Sequence, residues 1–352
     1  MLKALGAGLL AWLIALCLPL AVLQPAEPDG PDAPAIRQTE TEASVSETTT
    51  VTAAPPQTDA VPPRRQDDAL LLAVETDGQS VTLPLSDYLV GVLGGEMAAS
   101  SPAAALEAQA IAARTFVYRR LYDGAAHASG APVCTDPGHC MAYAAPDTLS
   151  DMETEALRAA VGATDGRIAV YGDEPILAVF HAVSGGMTEC ASDVWGGDLP
   201  YLISVPSPGE EADAMFRTEH TFSAAELASL LLEAHPEAEL SGDPGGWFED
   251  FDRSEAGGIR SVRVGGVTLP GTELRRLLSL PSADFTVAAE DDRLTLTCTG
   301  WGHGVGMSQA GACAMAEAGS TAEEIVEHYY PGAVCVKAEK GLTSPADSGI
   351  IN

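Results

Sequence analysis

The chain has 352 residues, of which 46% are hydrophobic, enough for a sizeable core in one large domain or two ordinary ones. Its 18 Lys and Arg residues against 50 Asp and Glu residues give a formal net charge of −32. Nucleic acids and anionic lipid headgroups are therefore poor partners, because phosphate groups are bound by basic surfaces. The sequence contains no Gly-rich phosphate-binding loop followed by Lys, which excludes a P-loop nucleotide hydrolase.

The uncharged segment from Ala4 to Leu23 is about long enough to span a bilayer. It predicts an uncleaved single-pass membrane anchor over residues 1–23, with a removed signal peptide as the alternative, and in either case the remainder is exported. Residues 24–67 are rich in Pro, Thr, Ser and Glu without apolar periodicity, which predicts a disordered linker. A flexible tail is predicted over 338–352, which leaves 68–337 as one folded domain.

The folded region mixes helix and strand patterns without a regular alternation, which predicts an α+β fold. Apolar runs bounded by turn residues predict strands at 70–75, 80–85, 167–171, 176–183, 202–205, 259–264, 267–269, 285–289 and 294–299. Helical spacing and start signals predict helices after an N-cap at Ser86 or Asp87, and at 101–121, 151–161, 223–234, 272–280, 308–318 and 321–328. Residues 122–147 and 236–258 are predicted to be irregular.

The helix predicted from 101 to 121 has two distinct faces. An apolar stripe that includes Leu106 and Val117 repeats at helical spacing and should face the core. Glu107, Arg114 and Tyr118 share a face away from that stripe. Arg114 is therefore expected outside the core, where the plainest interpretation is a surface pair with Glu107.

A compact group of metal-binding residue types lies in the first irregular segment: His127, Cys134, His139 and Cys140. Two thiolates and two imidazoles suit a tetrahedral Zn²⁺ ion. The spacing is not that of a zinc finger, and a Cys134–Cys140 disulfide is the alternative in an exported domain.

Several segments resemble, in the same order, the motifs of the stage II sporulation protein D family. The resembling segments are 87–97, 108–116, 184–186, 194–197, 200–202, 272–275, 284–287, 300–309 and 329–332. The resemblance covers most of residues 80–335, and the anchor and linker also look like that family's architecture. It implies a lytic transglycosylase, an enzyme that cuts peptidoglycan strands between N-acetylmuramic acid (MurNAc) and N-acetylglucosamine (GlcNAc) and leaves a 1,6-anhydroMurNAc end.

The same resemblance implies a biological setting. The substrate is glycan stripped of its stem peptides, and the process is engulfment of the forespore during sporulation. The protein is expected at the engulfing membrane of the mother cell, with stage II sporulation proteins M and P as partners. Some family members carry a zinc site in the region of His127 and Cys140, which favours structural zinc over the disulfide.

Glu96 is the expected catalytic acid and base by this resemblance. A lytic transglycosylase works with one carboxyl group, because the nucleophile is the 6-hydroxyl of the sugar itself. Glu96 follows Leu93-Gly94-Gly95 and precedes Met97, so a partly apolar setting is expected to raise its pKa.

Arg114 and Tyr201 are the other residues that the resemblance implies in catalysis, Arg114 as a positioner of the carboxylate or substrate. The family's basic residue two positions after the Tyr is replaced here by Ile203. On the predicted strand, Tyr201 and Ile203 would share one face. A cation that contacts the glycan would then be missing, which predicts a slow enzyme.

Seven further residues are expected to bind substrate by resemblance: Gln109, Ser184, Trp195, Trp301, His303, Ser308 and Gln309. For the two tryptophans, sugar stacking and a core position are both open. Ser184 and His303 also suggest a serine hydrolase, but no Gly-x-Ser-x-Gly motif surrounds Ser184. A non-catalytic cell-wall-binding amidase enhancer and a zinc amidase with an open metal position are rival functions for this chain.

Overall fold

A computed structural model of the chain describes residues 65–338. The predicted anchor, nearly all of the predicted linker and the predicted tail after Ala338 lie outside the described residues. None of the helices within 65–338 combines the length and hydropathy that a membrane span requires. The described part is a mixed α+β fold, as the sequence predicts.

The longest helix has 20 residues and packs at the centre of the first hydrophobic core, and the other helices are shorter. The helices are α1 (Gln66–Ala69), α2 (Leu85–Glu96), α3 (Ala103–Tyr122), α4 (Asp151–Ala163), α5 (Ala191–Trp195), α6 (Ala224–Ala234), α7 (Gly271–Leu277), α8 (Gln309–Glu317) and α9 (Ala322–Tyr329). The strands are β1 (Leu71–Thr76), β2 (Gln79–Pro84), β3 (Val133–Cys134), β4 (Arg167–Tyr171), β5 (Glu174–Pro175), β6 (Phe180–His181), β7 (Arg217–Ser223), β8 (Phe248–Arg253), β9 (Ile259–Val264), β10 (Val267–Pro270), β11 (Phe285–Glu290), β12 (Arg293–Thr299), β13 (Met307–Ser308) and β14 (Val334–Lys337).

The strands form small separate sheets rather than one continuous sheet. Their orders are β2-β1-β3, β14-β4-β5, β13-β6, β11-β12-β7 and β10-β9-β8. The β1–β3 and β13–β6 pairs are parallel, and the other strand pairs are antiparallel.

Two hydrophobic cores organise these elements. The first is built around α3, which packs against α2, α4, α8 and α9. The second lies among the last two sheets with α6 and α7. Reciprocal backbone hydrogen bonds between Val183 and Trp301, at 3.1 and 2.7 Å, join the chain segments that run between the cores.

Several local predictions are confirmed. Asp77 and Gly78 both have positive φ in the β1–β2 turn, the backbone that a tight hairpin with Asp-Gly requires. The predicted helix start at Ser223 is also confirmed, and Ser223 forms a capping box with Glu226 at α6. Ser150 and Thr321, for which no cap is predicted, form the same motif at α4 and α9.

Other local predictions are wrong. Helix α2 begins at Leu85 without a side-chain cap, so Ser86 and Asp87 lie inside it. The strand predicted at 176–183 is reduced to β6. Residues 248–253, predicted to be irregular, form β8. A bulge with Asp250 at φ 53° breaks the alternation of apolar residues there, and this hides the strand in the sequence.

The segment 202–205 is not a strand either. The carbonyl of Leu202 accepts from Ala191 N at 2.9 Å, and Val205 N donates to the Thr188 hydroxyl at 3.0 Å. These bonds to a loop replace a strand ladder, so side chains do not alternate regularly. Tyr201 is 6% exposed whereas Ile203 is 40% exposed, so the two side chains do not project together.

A buried ion pair fixes the start of the described fold. Arg114 is fully buried, and its guanidinium contacts Asp67 with N–O distances of 2.9 and 2.7 Å. The same guanidinium donates to the carbonyls of Val161 and Arg167 at 3.2 and 3.0 Å. Asp67, placed in the linker by the sequence prediction, is therefore part of the fold, and the expected surface pair of Arg114 with Glu107 does not form.

Replacing Asp67 by Ala tests this pair. We expect the free energy of unfolding to fall by about 3–5 kcal/mol, because the Arg114 charge stays buried without its partner. Urea denaturation measures the change. Glu107→Ala on the same helix as Arg114 is the matched control and should stay within about 0.5 kcal/mol of the parent. Equal losses for the two variants would contradict the assignment.

Candidate active site

Glu96 is the last residue of α2, and two hydrogen bonds orient its carboxylate. Oε1 accepts from the backbone N–H of Ala142 at 2.6 Å, and Oε2 accepts from Nε2 of Gln309 at 3.3 Å. Gln309 begins α8 and is separated from Glu96 by most of the chain. The fold thus brings together two residues that the sequence analysis places in the site.

The carboxyl group of Glu96 is half-buried at the wall of an open cleft of about 1000 Å³, called here the Glu96 cleft. Burial raises the pKa of Glu96 above its ordinary value, while the bonds from Ala142 and Gln309 oppose that rise. A carboxyl group with this balance can hold a proton closer to neutral pH than an exposed one. The direction agrees with the expectation for a general acid.

The small residue before Glu96 has a structural reason. A Cβ on Gly95 would lie 2.5 Å from the backbone N of Tyr143 and 2.6 Å from the carbonyl C of Ala142. Only glycine therefore allows the 142–143 backbone to reach the end of α2. That close approach is what brings the Ala142 N–H within hydrogen-bonding distance of Glu96.

The His127, Cys134, His139 and Cys140 ligand atoms all lie within 4.8 Å of one another, so this cluster could hold a metal ion. Nε2 of His127 and Nδ1 of His139 each lie 3.4 Å from Sγ of Cys140. The two cysteines are not joined to each other in this structure, which is the arrangement that metal ligation requires. Four protein ligands would leave no open position on a tetrahedral ion, which argues against a zinc amidase.

This cluster is coupled to the Glu96 cleft by the chain itself. Cys140 precedes Ala142 by two residues, and Cys134 lies on β3, where its carbonyl accepts from the Tyr88 hydroxyl at 2.9 Å. Tyr88 belongs to α2, the helix that ends at Glu96. Whatever orders the cluster therefore orders both the loop and the helix that position the carboxylate.

Glu210 is a buried carboxylate of the Glu96 cleft that the sequence analysis did not identify. Its oxygens accept from the hydroxyls of Ser184 and Ser207, both at 2.8 Å, and from that of Ser308. Ser308 caps α8 and directly precedes Gln309. Glu210 thus fixes α8 against the 184–186 loop, and no local pattern in the sequence signals a hub whose partners are so far apart.

A second concavity begins within the 182–184 segment, since Ala182 lines the Glu96 cleft whereas Val183 and Ser184 line this one. We call it the tryptophan pocket; Ser184, Trp301 and His303 are among its lining residues. Trp301 is 41% exposed, and Trp195, 49% exposed, lies with its ring centre 5.1 Å from that of His303. Both tryptophans are therefore accessible rather than core residues. Ser184 donates to Glu210 and not to a histidine, so the serine-hydrolase interpretation is wrong.

Four of the expected site residues lie in the interior instead. One is Ser308, the fully buried cap of α8, which lines neither concavity, and the other three are Arg114, Gln109 and Tyr201. Arg114 makes the buried contacts described above, and none of its hydrogen bonds is to Glu96. Gln109 is fully buried in α3, with no hydrogen-bond partner for its side-chain amide within the described residues. The buried Tyr201 hydroxyl accepts from Leu177 N at 3.1 Å. These positions give the four side chains structural contacts rather than access to either concavity.

His303 lines the tryptophan pocket, and the ring of the buried His181 lies with its centre 5.7 Å from that of His303. Nδ1 of His181 bonds to the carbonyl of Val305 at 3.2 Å, and Nδ1 of His303 accepts from Val305 N at 3.1 Å. Burial lowers the pKa of His181 to about 3 and that of His303 to about 4. Both rings are therefore neutral at neutral pH.

Acidification should destabilise the fold through these rings. The unfolded chain takes up a proton below about 6.5, but each folded ring does so only near its lowered pKa, so stability present above about 6.5 is lost as the pH falls. In the parent protein the free energy of unfolding should fall as the pH is lowered from 6 to 4.5. In His181→Asn we expect this fall to be less steep than in the parent by about 1.4 kcal/mol per pH unit. Denaturant titrations across pH measure this. Measurements at pH 8 isolate the packing change, and identical slopes would contradict the assignment.

The chain resembles known proteins over most of its length. A family model described as "Stage II sporulation protein" matches residues 76–171. Stage II sporulation protein D of Bacillus subtilis (strain 168) is 34% identical over 280 residues, covering 76% of this chain and 79% of that protein. Its counterpart in Bacillus amyloliquefaciens is 33% identical, covering 81% of this chain and 83% of that protein.

A more distant similarity is to an amidase enhancer of Bacillus subtilis (strain 168). It is 26% identical and covers 69% of this chain but 39% of that longer protein. The two sporulation proteins are more similar and are covered over most of their own length. The chain belongs to the stage II sporulation protein D family.

Proposed function

We propose that this protein is a membrane-anchored lytic transglycosylase that cleaves peptidoglycan strands without stem peptides during engulfment. The observation that carries the proposal is the Glu96 carboxyl group, half-buried in an open cleft with a raised pKa and held by Ala142 and Gln309. The family membership supplies the sporulation setting. The reaction and the substrate are those that the family resemblance implies, and the setting of Glu96 supports the acid role that this reaction needs.

The proposed reaction uses one carboxyl group twice. Protonated Glu96 donates its proton to the glycosidic oxygen as the C1–O bond of MurNAc breaks and GlcNAc leaves. The resulting carboxylate accepts the proton of the MurNAc 6-hydroxyl, and O6 forms the new bond to C1. No water is consumed, the products carry all the atoms of the substrate, and Glu96 regains its proton.

The buried carboxylate of the same cleft is engaged in structural hydrogen bonds. Hydrolysis of glycosides ordinarily uses a second carboxylate as nucleophile or base. Glu210 lines the same cleft, but its oxygens already accept from three serine hydroxyls. It therefore serves to position α8 and the Gln309 amide that contacts Glu96.

A non-catalytic amidase enhancer is the second candidate, because of the 26% identity to a protein of that name. An enhancer needs a surface that binds the cell wall and does not need a carboxyl group of raised pKa. Release of anhydro-sugar products from peptide-free strands by the purified protein, without another enzyme, distinguishes the two.

We also propose that the His127/Cys134/His139/Cys140 cluster holds a structural Zn²⁺ ion. The donor set fits, since zinc prefers thiolate and imidazole ligands in a tetrahedral arrangement. Burial raises the pKa of the Cys140 thiol, and a bound cation would favour its thiolate form. The ion would cross-link the 127–140 loop beside Glu96. Stage II sporulation proteins M and P, and the peptidoglycan strand, remain the proposed partners.

The Glu96→Gln variant tests the reaction. We expect loss of anhydroMurNAc products by at least about a thousandfold with an unchanged thermal unfolding midpoint, because Gln can accept the Ala142 bond but cannot shuttle the proton. Mass spectrometry of digests of peptide-free strands measures the products.

The matched control is Glu317→Gln, an exposed carboxylate at the rim of the same cleft, which should keep near-normal activity. The parent rate should fall as the pH rises through the raised pKa of Glu96, because the acid form starts the reaction. Near-normal product release by Glu96→Gln would sink the proposal.

Elemental analysis tests the zinc site. We expect about one zinc per chain in the purified protein, and loss of that zinc in Cys140→Ser, because four protein ligands define the site. Cys190→Ser, a half-buried cysteine outside the cluster, is the control and should retain the metal. A metal-free parent protein with Cys134 and Cys140 oxidised to each other would favour the disulfide instead.

A further inference from the structure

Arg275 is a half-buried cation of the tryptophan pocket that has no partner within residues 65–338. It lies on α7, and no hydrogen bond or ion pair joins its guanidinium to another described residue. The charge of Arg275 contributes to the lowered pKa of both His181 and His303, so its guanidinium lies near these two rings.

The other charged groups of this pocket are all satisfied. Glu189 accepts from the Ser254 hydroxyl at 3.0 Å and from Gly258 N at 2.9 Å. Asp193 forms two bonds with Arg260, at 2.6 and 3.2 Å. Asp284, the remaining carboxylate that lines the pocket, accepts a hydrogen bond from Arg253 at 3.1 Å. Each carboxylate of the pocket is thus already bonded, and Arg275 is left over among the described residues.

An unpaired guanidinium in such a place is unfavourable by itself. Burial lowers the pKa of Arg275, and the nearby Cys298 thiol opposes that shift only in part. The chain has 50 acidic residues against 18 basic ones, so a carboxylate partner would be easy to provide. A bound ligand that carries the anion explains why none lies there within residues 65–338.

We propose that the tryptophan pocket is a subsite for a carboxylate-bearing N-acetylated sugar, with Arg275 as its carboxylate receptor. A guanidinium presents two parallel N–H groups that match a carboxylate. Trp301, exposed at the pocket, offers an apolar face on which a pyranose ring packs. The pocket thus combines the two contacts that an acidic sugar needs.

Resting on the proposed function, this sugar is the MurNAc of a strand without stem peptides. MurNAc carries a lactyl ether whose carboxyl group forms an amide when a stem peptide is attached and is a free carboxylate once the peptide is removed. Arg275 would bind the free carboxylate much better than the neutral amide. The subsite therefore makes the enzyme select strands that an amidase has already processed.

The discrimination also answers an electrostatic problem. A strand of free MurNAc residues is a polyanion, and a protein with a net charge of −32 repels it. A cation without a partner in the described fold, surrounded by carboxylates that are each already bonded, attracts the strand only where a lactyl carboxylate reaches it. Binding and selectivity then come from the same residue.

The test measures binding, not cleavage, using full-length protein and three probes: N-acetylmuramic acid, its lactyl methylamide and N-acetylglucosamine. Titrations followed by calorimetry or ligand NMR give the affinities. We expect the parent protein to bind the acid about ten- to a hundredfold more tightly than the amide. Arg275→Gln should abolish that difference while leaving the affinity for the amide unchanged.

Arg276→Gln is the matched control, since Arg276 is the exposed neighbour on the same helix and does not line the pocket. It should keep the preference for the acid. If Arg275→Gln does not fold, Arg275→Lys carries the test, because it keeps the charge without the paired N–H groups and should show a partial loss confined to the acid.

The outcomes are separable from the proposed function. If the parent protein prefers the acid through Arg275 but cleaves no strand, the subsite proposal is supported and the transglycosylase function is contradicted. A parent protein that shows no preference for the acid overturns the subsite even if the strands are cleaved. An equal loss of both ligands in Arg275→Gln, or the same loss in Arg276→Gln, overturns it as well.

Discussion

The hydrogen bond from Ala142 N to Glu96 is the constraint on which the site depends. It exists because Gly95 has no Cβ, which lets the 142–143 backbone pack directly against the end of α2. The bond does two opposite things, since it orients the carboxylate and lowers the pKa that burial has raised. Burial and the two hydrogen bonds therefore act on the pKa of this carboxyl group in opposite directions.

The two sides of the carboxylate are supported by different parts of the chain. On one side, the Cys140 end of the cysteine and histidine cluster leads directly into Ala142. On the other side, Gln309 is held because Glu210 bonds to the Ser308 cap of α8. A catalytic group placed between two independently ordered segments is fixed more firmly than one held by its own helix alone.

The two concavities also differ in their electrostatic character. The Glu96 cleft is lined by several carboxylates, with Glu210 fully committed to serine hydroxyls. In the tryptophan pocket every carboxylate accepts a hydrogen bond, and the His303 ring and the adjacent His181 ring are neutral at neutral pH. The Arg275 guanidinium has no hydrogen-bond or ion-pair partner in the described part of the chain. The first arrangement suits proton transfer and the second suits recognition of an anionic sugar.

The sequence by itself determined the mixture of helices and strands, the β1–β2 hairpin and the start of α6 at Ser223, because these local features depend on neighbours within a few residues. The residue types of the cysteine and histidine cluster predicted a group that the structure does bring together, and the family resemblance pointed to Glu96 and Gln309, which the structure places in hydrogen-bonding contact.

Only the tertiary structure decided which polar residues are buried. The face of α3 that carries Arg114 is covered by α1 and α4, so an arginine that periodicity places outside the core is instead paired with Asp67. Tyr201 and Ile203 diverge because their segment bonds to a loop rather than to a strand. The structural role of Glu210 depends on hydrogen-bond partners that are distant in the chain. The role proposed for Arg275 depends on the lack of a hydrogen-bond or ion-pair partner for its guanidinium within residues 65–338. A sequence pattern carries no information about the surroundings of Glu210 or Arg275, because these surroundings depend on which distant segments the fold brings together.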